Sequence, residues 1–162
     1  MNISDLLIPE LEHEAQLIET FLKRIPEDKL EWTPHEKSMP LGTLAAHLVE
    51  IVAWIPATMD EDTLEMSNYQ PPKMGGVDGM LAELHRALPA AKQSLQKDNE
   101  VYFQTWTMKQ GEQILMQMPR YNAIRSAVFN QFPHHRAQLG VYLRLLDISV
   151  PATYGPSADE SG

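Results

Sequence analysis

Apolar side chains recur every three or four positions along most of this chain, a spacing that lines one face of an α-helix. The first run follows Ser4, a candidate helix cap, and stops at Pro26, because proline cannot continue a helix. The second extends from about Leu41 to Thr58. The pattern predicts two amphipathic helices joined by a proline-rich loop, Pro26 to Pro40.

The same spacing returns twice in the second half of the chain. A third helix is predicted around Val77 to Leu95, where Pro89 should introduce a kink because its ring removes one ladder hydrogen bond. A fourth is predicted to begin near Pro119, since proline suits the first turn of a helix, and to continue to Tyr142.

The remaining segments show no sustained strand alternation. Asp60 to Gly79 is rich in proline and glycine and is expected to be an irregular connection, as is the tail after Asp147. Tyr102 to Lys109 is expected to be a short extended piece and Gly111 to Met118 a helical turn. These patterns predict an all-α fold, a four-helix bundle with one long crossover loop, as a single domain over residues 1–162.

Composition narrows the class of protein. The chain has 162 residues, of which 43% are hydrophobic and 22% charged, an ordinary globular balance. Its formal charge of −9 and its lack of basic runs argue against nucleic acid or an anionic membrane as a partner. It has no cysteine, which excludes disulfides and thiolate ligands. The acidic N-terminus does not resemble a signal peptide, and a cytoplasmic location is expected.

The predicted fourth helix carries polar residues where a core face should continue. Its inward stripe is apolar at 121, 124 and 128 but polar at Gln131, His135 and Gln138. Burying such groups without partners costs a few kcal/mol each, so each of them requires a hydrogen-bond partner or a ligand. Arg136 lies off this face and is expected to form an ion pair rather than take part in catalysis.

The second helix places His47 at or beside its inner face, with Glu50 one turn further on and Trp54 on the same stripe. Two histidines from different helices, meeting in a bundle core, could bind a divalent metal, since imidazole suits zinc, nickel, copper and iron. They could instead be held by hydrogen bonds to carboxylates or backbone, and spacing alone favours this second interpretation. Trp54, Gln138 and Tyr142 are the candidate walls of a pocket.

Two stretches of sequence resemble the signature of DinB-like proteins. The first reads WTPHEKSM at 32–39 and LGTLAAHL at 41–48; the second reads NQFPHHRAQL at 130–139, followed by VYLR at 141–144. The ending YGPSADE at 154–160 is similar to the tail of one bacterial branch. The resemblance to the DinB/YfiT-like superfamily covers nearly the whole chain. It implies a four-helix bundle, often a homodimer, that holds a metal with three histidines.

The resemblance assigns one of those ligands to the second helix, at His47, and two to the last helix, at positions 131 and 135. His135 matches, whereas Gln131 offers only an amide oxygen, a weaker ligand than imidazole. His134 could replace it if Pro133 distorts the helix, and Glu50 could supply a carboxylate. The site could also hold no metal.

The family resemblance further implies a metal-dependent enzyme, either a thiol-dependent transferase or a hydrolase. Zinc or nickel would be the metal, and a low-molecular-weight thiol would be the cofactor in the transferase version. The alternative hypothesis is a degenerate bundle without metal that binds a small molecule or a protein. A homodimer is expected in either case, and the residues do not identify a substrate or a catalytic group.

Overall fold

The computed structural model describes residues 1–161 of the chain. The helices are α1 (Ser4–Leu22), α2 (Leu41–Met59), α3 (Gly76–Leu95), α4 (Asn99–Tyr102), α5 (Arg120–Ile124) and α6 (Gln131–Leu145). A 3₁₀ turn spans Glu27–Lys29, and a π-helical segment, Arg125–Phe129, joins α5 to α6. The strands are β1 (Thr63–Glu65), β2 (Thr105–Gln110) and β3 (Gln113–Pro119).

The long helices enclose one apolar core. α2 packs against α3 and α6, and α1 packs against the same two helices. Leu48 and Ile55 of α2 are fully buried, as are Ile18 of α1 and Leu139 of α6. Among the described residues, α2 is the one helix long and apolar enough to cross a membrane, but it lies in the core of this fold.

A small sheet makes the fold helix-rich rather than all-α, and that part of the prediction is wrong. The strand order is β1-β2-β3, with β1 parallel to β2 and β2 antiparallel to β3. Gly111 lies in the turn between β2 and β3 with a φ of 60°, a left-handed conformation that glycine adopts without strain.

Two loop predictions fail because of this sheet. Residues 111–118 form a turn and most of β3, not a helical turn, and the connection 60–79 contributes β1. The inward residues of the hairpin do alternate, with Trp106 and Met108 on β2 facing Met116 and Met118 on β3. Each strand has only two inward positions. Such a short alternation is not recognisable beside the longer helical patterns in the rest of the chain.

The predicted cap at Ser4 is also wrong. Ser4 is already inside α1, is buried, and makes no capping hydrogen bond with its side chain. The backbone N–H of Ile3 instead donates to the Asn99 side-chain oxygen at 2.8 Å. The start of α1 is therefore fixed by a residue distant in sequence.

The predicted fourth helix is interrupted by its π-helical segment. A π turn contains an extra residue, so the faces before and after it are not in the phase that a continuous α-helix would give. Tyr121 is 36% exposed although the stripe placed it inward, whereas Phe132 is fully buried. Of the three polar stripe positions, His135 is buried, Gln131 is half-buried and Gln138 is exposed.

Candidate functional site

His47 and Glu50 lie one turn apart on α2 and contact each other. The Nδ1 atom of His47 is 2.8 Å from Oε2 of Glu50, and Glu50 is 7% exposed. An ionised carboxylate only accepts hydrogen bonds, so Nδ1 carries the proton. This tautomer leaves the Nε2 lone pair of His47 free to bind a metal or accept a proton.

The other oxygen of Glu50 is occupied by a residue from the crossover loop. The Tyr69 hydroxyl donates to Oε1 of Glu50, and the Trp54 indole N–H donates to the Tyr69 oxygen at 3.3 Å. Burial opposes ionisation of Glu50, but the hydrogen bonds from His47 and Tyr69 outweigh it and hold the pKa of this carboxyl below its ordinary value. Burial and the contact with Glu50 raise the pKa of Tyr69 to about 12, so the phenol stays a donor.

His135 on α6 faces His47 across the helix interface. Their ring centroids are 4.8 Å apart, with the planes at 77°. Nδ1 of His135 lies 3.0 Å from Oε1 of Gln138, whose amide nitrogen is 3.4 Å from Nε2 of His134. Because an amide oxygen only accepts, His135 donates from Nδ1, and its Nε2 lone pair is free, as in His47.

Gln131 lies one turn before His135 on the same helix. Its amide nitrogen donates to the backbone oxygen of Ser126 in the π-helical segment at 2.9 Å. Within residues 1–161 its amide oxygen accepts no hydrogen bond, so that oxygen is the donor atom that Gln131 could offer a cation. His134 is exposed, with its ring centroid 4.7 Å from that of His135.

Two cavities share Met39 in their walls, and one of them reaches His47. One, of about 480 Å³, has His47 and Glu50 in its wall together with Pro71, Pro72 and Met74 of the crossover loop. The other, of about 440 Å³, lies beside α6. Its wall includes Lys37, Gln138 and Tyr142.

Met39 lines both cavities, and Tyr142 holds it in place by donating its hydroxyl proton to the Met39 carbonyl at 3.1 Å. Trp32 packs edge-on against the Tyr142 ring, with centroids 5.6 Å apart. The loop 26–40 is thereby fastened to α6 next to the site.

The donor set fits a divalent metal only in part. Within residues 1–161, no group of three or more His, Cys, Asp and Glu side chains is placed to hold a metal ion. Two imidazoles with free Nε2 atoms and Nδ1 atoms fixed by an acceptor are nevertheless the arrangement typical of ligating histidines. Gln131 supplies a neutral oxygen one turn away, in place of the third imidazole that the family resemblance implied.

The residues proposed from the sequence as site residues therefore differ in their environments. His47 and His135 are brought together, and both oxygens of Glu50 are occupied by neighbouring side chains. Trp54 contacts Tyr69, with ring centroids 6.0 Å apart. Tyr69 was missed, because it lies in a segment without periodicity and no local pattern distinguishes it from the other loop residues.

The chain is a helix-rich domain with two facing imidazoles between α2 and α6. The DinB family model matches residues 1–162, and the chain belongs to the DinB family.

Two solved structures show the same fold. A DinB-like protein from Bacillus subtilis has a TM-score of 0.71 at 16% identity, over 91% of this chain and 96% of that one. A DinB-like protein from Bacillus cereus ATCC 10987 has a TM-score of 0.66 at 18% identity, over 88% of this chain and 92% of that one. No curated protein matches.

The stability of the fold should depend on pH through His135. Burial lowers the pKa of His135, whereas in the unfolded chain the ring has the ordinary value of about 6.5. Between these two values the unfolded state binds more protons, so stability falls as the pH falls. The loss begins as the pH drops below about 6.5 and ends below the folded pKa, with a slope of at most about 1.4 kcal/mol per pH unit for one proton.

Urea denaturation at several pH values between 7.5 and 5 measures this slope. His135→Gln should show a shallower slope than the parent, and His13→Gln, at an exposed position, should show the parental slope. Equal slopes in the parent and His135→Gln would contradict the prediction.

Proposed function

We propose that the protein is a metal-dependent enzyme acting on a small molecule, with a divalent metal bound between α2 and α6. His47 and His135 would be the principal ligands, and Gln131 would complete the set. The observation that supports this proposal is the facing pair of imidazoles, each with Nδ1 held by an acceptor and Nε2 free.

Zinc or nickel is the expected metal, since both accept imidazole nitrogen and amide oxygen. Such a cation lowers the pKa of a bound water or thiol, which is the chemistry that hydrolysis and thiol transfer require. The chain itself would orient His47 through Glu50 and hold the substrate in the cavity that has His47 and Glu50 in its wall. Four long helical segments acting as a bundle would be the rigid frame of the site.

Metal content tests the proposal directly. Protein purified without a nickel column should contain close to one equivalent of zinc or nickel by elemental analysis, and His47→Ala and His135→Ala should each lose it. His85→Ala is the matched control, since His85 is exposed on α3 and pairs with Glu19. A parent protein without metal after soaking with zinc would refute the metal site.

The presence of glutamine at position 131 favours a second candidate function, that of a binding module without metal. A neutral amide is a poorer ligand than imidazole, and its amide nitrogen is already bonded to Ser126. In this case the two cavities would bind a small molecule, or the protein surface would bind a protein partner, and no reaction would be catalysed.

The variant Gln131→His separates the two candidates. If the parent binds metal, this variant should bind it about tenfold more tightly or better, because a third imidazole joins the set. If the parent binds none while the variant does, the scaffold has lost its ligand and the binding module is favoured.

We expect a homodimer that acts in the cytoplasm and binds neither nucleic acid nor membrane, in agreement with a charge of −9. Val141 and Leu145 of α6, each 58% exposed, are the apolar residues most suited to an interface between helices.

A further inference from the structure

Tyr69 connects the crossover loop to the histidine pair through a chain of hydrogen bonds. It lies between β1 and α3, is half-buried, and donates its hydroxyl proton to Glu50. Its oxygen accepts from the Trp54 indole, and Glu50 in turn accepts from His47. The order of the chain is Trp54, Tyr69, Glu50, His47.

This chain fixes the plane of the Glu50 carboxylate. One oxygen contacts His47 and the other contacts Tyr69, so rotation of the carboxylate would break both hydrogen bonds. The carboxylate is the acceptor that selects the tautomer and ring orientation of His47, and such outer partners commonly determine how well a histidine binds metal. The Tyr69 hydroxyl therefore influences the orientation of the His47 ring without contacting it.

The loop that carries Tyr69 also forms a wall of the cavity beside His47. Pro71, Pro72 and Met74 line that cavity. Residues 70–74 make no backbone hydrogen bond to any other described residue. Before them, Met66 donates to Lys109 at 2.8 Å and Tyr69 donates to Met66 at 3.2 Å. The side chain of Tyr69 is thus the nearest hydrogen-bonded attachment before the wall, and the nearest after it is the backbone N–H of Val77, which donates to Oε1 of Glu27 at 2.7 Å.

We propose that Tyr69 is a positioning residue of this site, which orients His47 through Glu50 and at the same time fastens the loop over the cavity. The orienting role rests on the proposed function, since it is measured as metal affinity. The fastening role does not depend on metal.

The variant Tyr69→Phe tests the orienting role, because it removes one oxygen and keeps the ring. Titration of metal-free protein with Co²⁺, followed by visible absorption, should give a dissociation constant about 10-fold higher than that of the parent. Tyr121→Phe is the matched control: Tyr121 is 36% exposed, and its hydroxyl makes no hydrogen bond within residues 1–161. It should bind Co²⁺ as the parent does.

A double-mutant cycle shows whether the effect passes through Glu50. In a Glu50→Gln background, Tyr69→Phe should add much less than its own tenfold loss, since the group it acts on has been removed. Full additivity of the two losses would overturn the route through Glu50.

NMR of the metal-free protein tests the fastening role by itself. Tyr69→Phe should shift the Trp54 indole N–H signal and speed exchange of the Met66 and Tyr69 amides, which are hydrogen-bonded to backbone carbonyls, whereas Tyr121→Phe should change neither. Faster exchange with unchanged Co²⁺ affinity would overturn the orienting role and leave only an anchor. Unchanged exchange and an unchanged indole signal would overturn the fastening role.

These measurements separate the inference from the proposed function. A parent that binds no Co²⁺ would refute the proposed function and the orienting role with it, while the NMR result would still decide whether Tyr69 fastens the loop.

Discussion

Replacing Glu14 with alanine should lower the free energy of unfolding by about 3–5 kcal/mol, the loss expected when one partner of a buried ion pair is removed. Glu14 on α1 pairs with Arg136 on α6, and their side chains are 4% and 3% exposed. The second oxygen of Glu14 accepts from the Tyr154 hydroxyl, and the Arg136 guanidinium lies 5.1 Å from the centre of the Tyr154 ring. Alanine would leave this guanidinium buried without its counter-charge.

A second ion pair of α1 supplies the matched control. Glu10 pairs with Arg125 at 2.8 Å, but both side chains are about a third exposed, at 39% and 31%. Glu10→Ala should therefore cost no more than about 1 kcal/mol. Chemical denaturation of both variants measures the difference, and equal losses would show that the Glu14 pair is not desolvated in solution.

The double variant Glu14→Leu with Arg136→Met tests the reason for the loss. It removes both charges together, so no unpaired charge is buried, and its stability should recover most of what Glu14→Ala loses. A double variant as unstable as Glu14→Ala would mean that the pair contributes by attraction and not mainly by avoiding an orphaned charge.

Replacing Trp106 with alanine should cost about 3–5 kcal/mol, the usual loss for a large aromatic side chain in a core. Trp106 on β2 is fully buried, and it packs with Met108 and Ala123 in a cluster between the sheet and the helices. Its indole N–H donates to the carbonyl of Ala57 on α2 at 3.1 Å. Trp106→Ala would leave a cavity and would also remove the indole donor from the Ala57 carbonyl.

Ile114 on β3 is the control for Trp106. It is 57% exposed in the same sheet, so Ile114→Ala should change the free energy of unfolding by no more than about 0.5 kcal/mol. A loss below about 1 kcal/mol for Trp106→Ala would show that the sheet is not an integral part of the fold.

Helical periodicity was enough to predict α2 and α3. α2 spans Leu41–Met59 where Leu41 to Thr58 was expected, and α3 ends at Leu95 as expected. Apolar spacing is a local property, and burial of one face is what stabilises a helix in a domain, so these elements can be deduced from the chain alone. The ion pair of Arg136 was also predicted correctly, although its burial was not.

The extended piece predicted at Tyr102 to Lys109 overlaps β2, but its pairing with β1 and β3 and the π-helical segment were not predicted. β1 pairs with β2 through Thr63 and Thr107, more than forty positions apart, and three residues carry no usable alternation. The π turn shifts the phase between Tyr121 and Phe132 by one residue. A helix face drawn through positions 121, 124, 128 and 131 assumes a continuous α-helix and therefore cannot include that shift.

For the site, the sequence determined which groups are available: His47, His135, Gln131 and Glu50, and no cysteine. Only the tertiary structure decided how they are arranged. Packing of α2 against α6 places the two imidazoles 4.8 Å apart, and the crossover loop brings Tyr69 onto Glu50. The reason is physical: the kind of donor atom is a property of a residue, whereas the tautomer, burial and orientation of that atom depend on partners that the fold supplies from elsewhere in the chain.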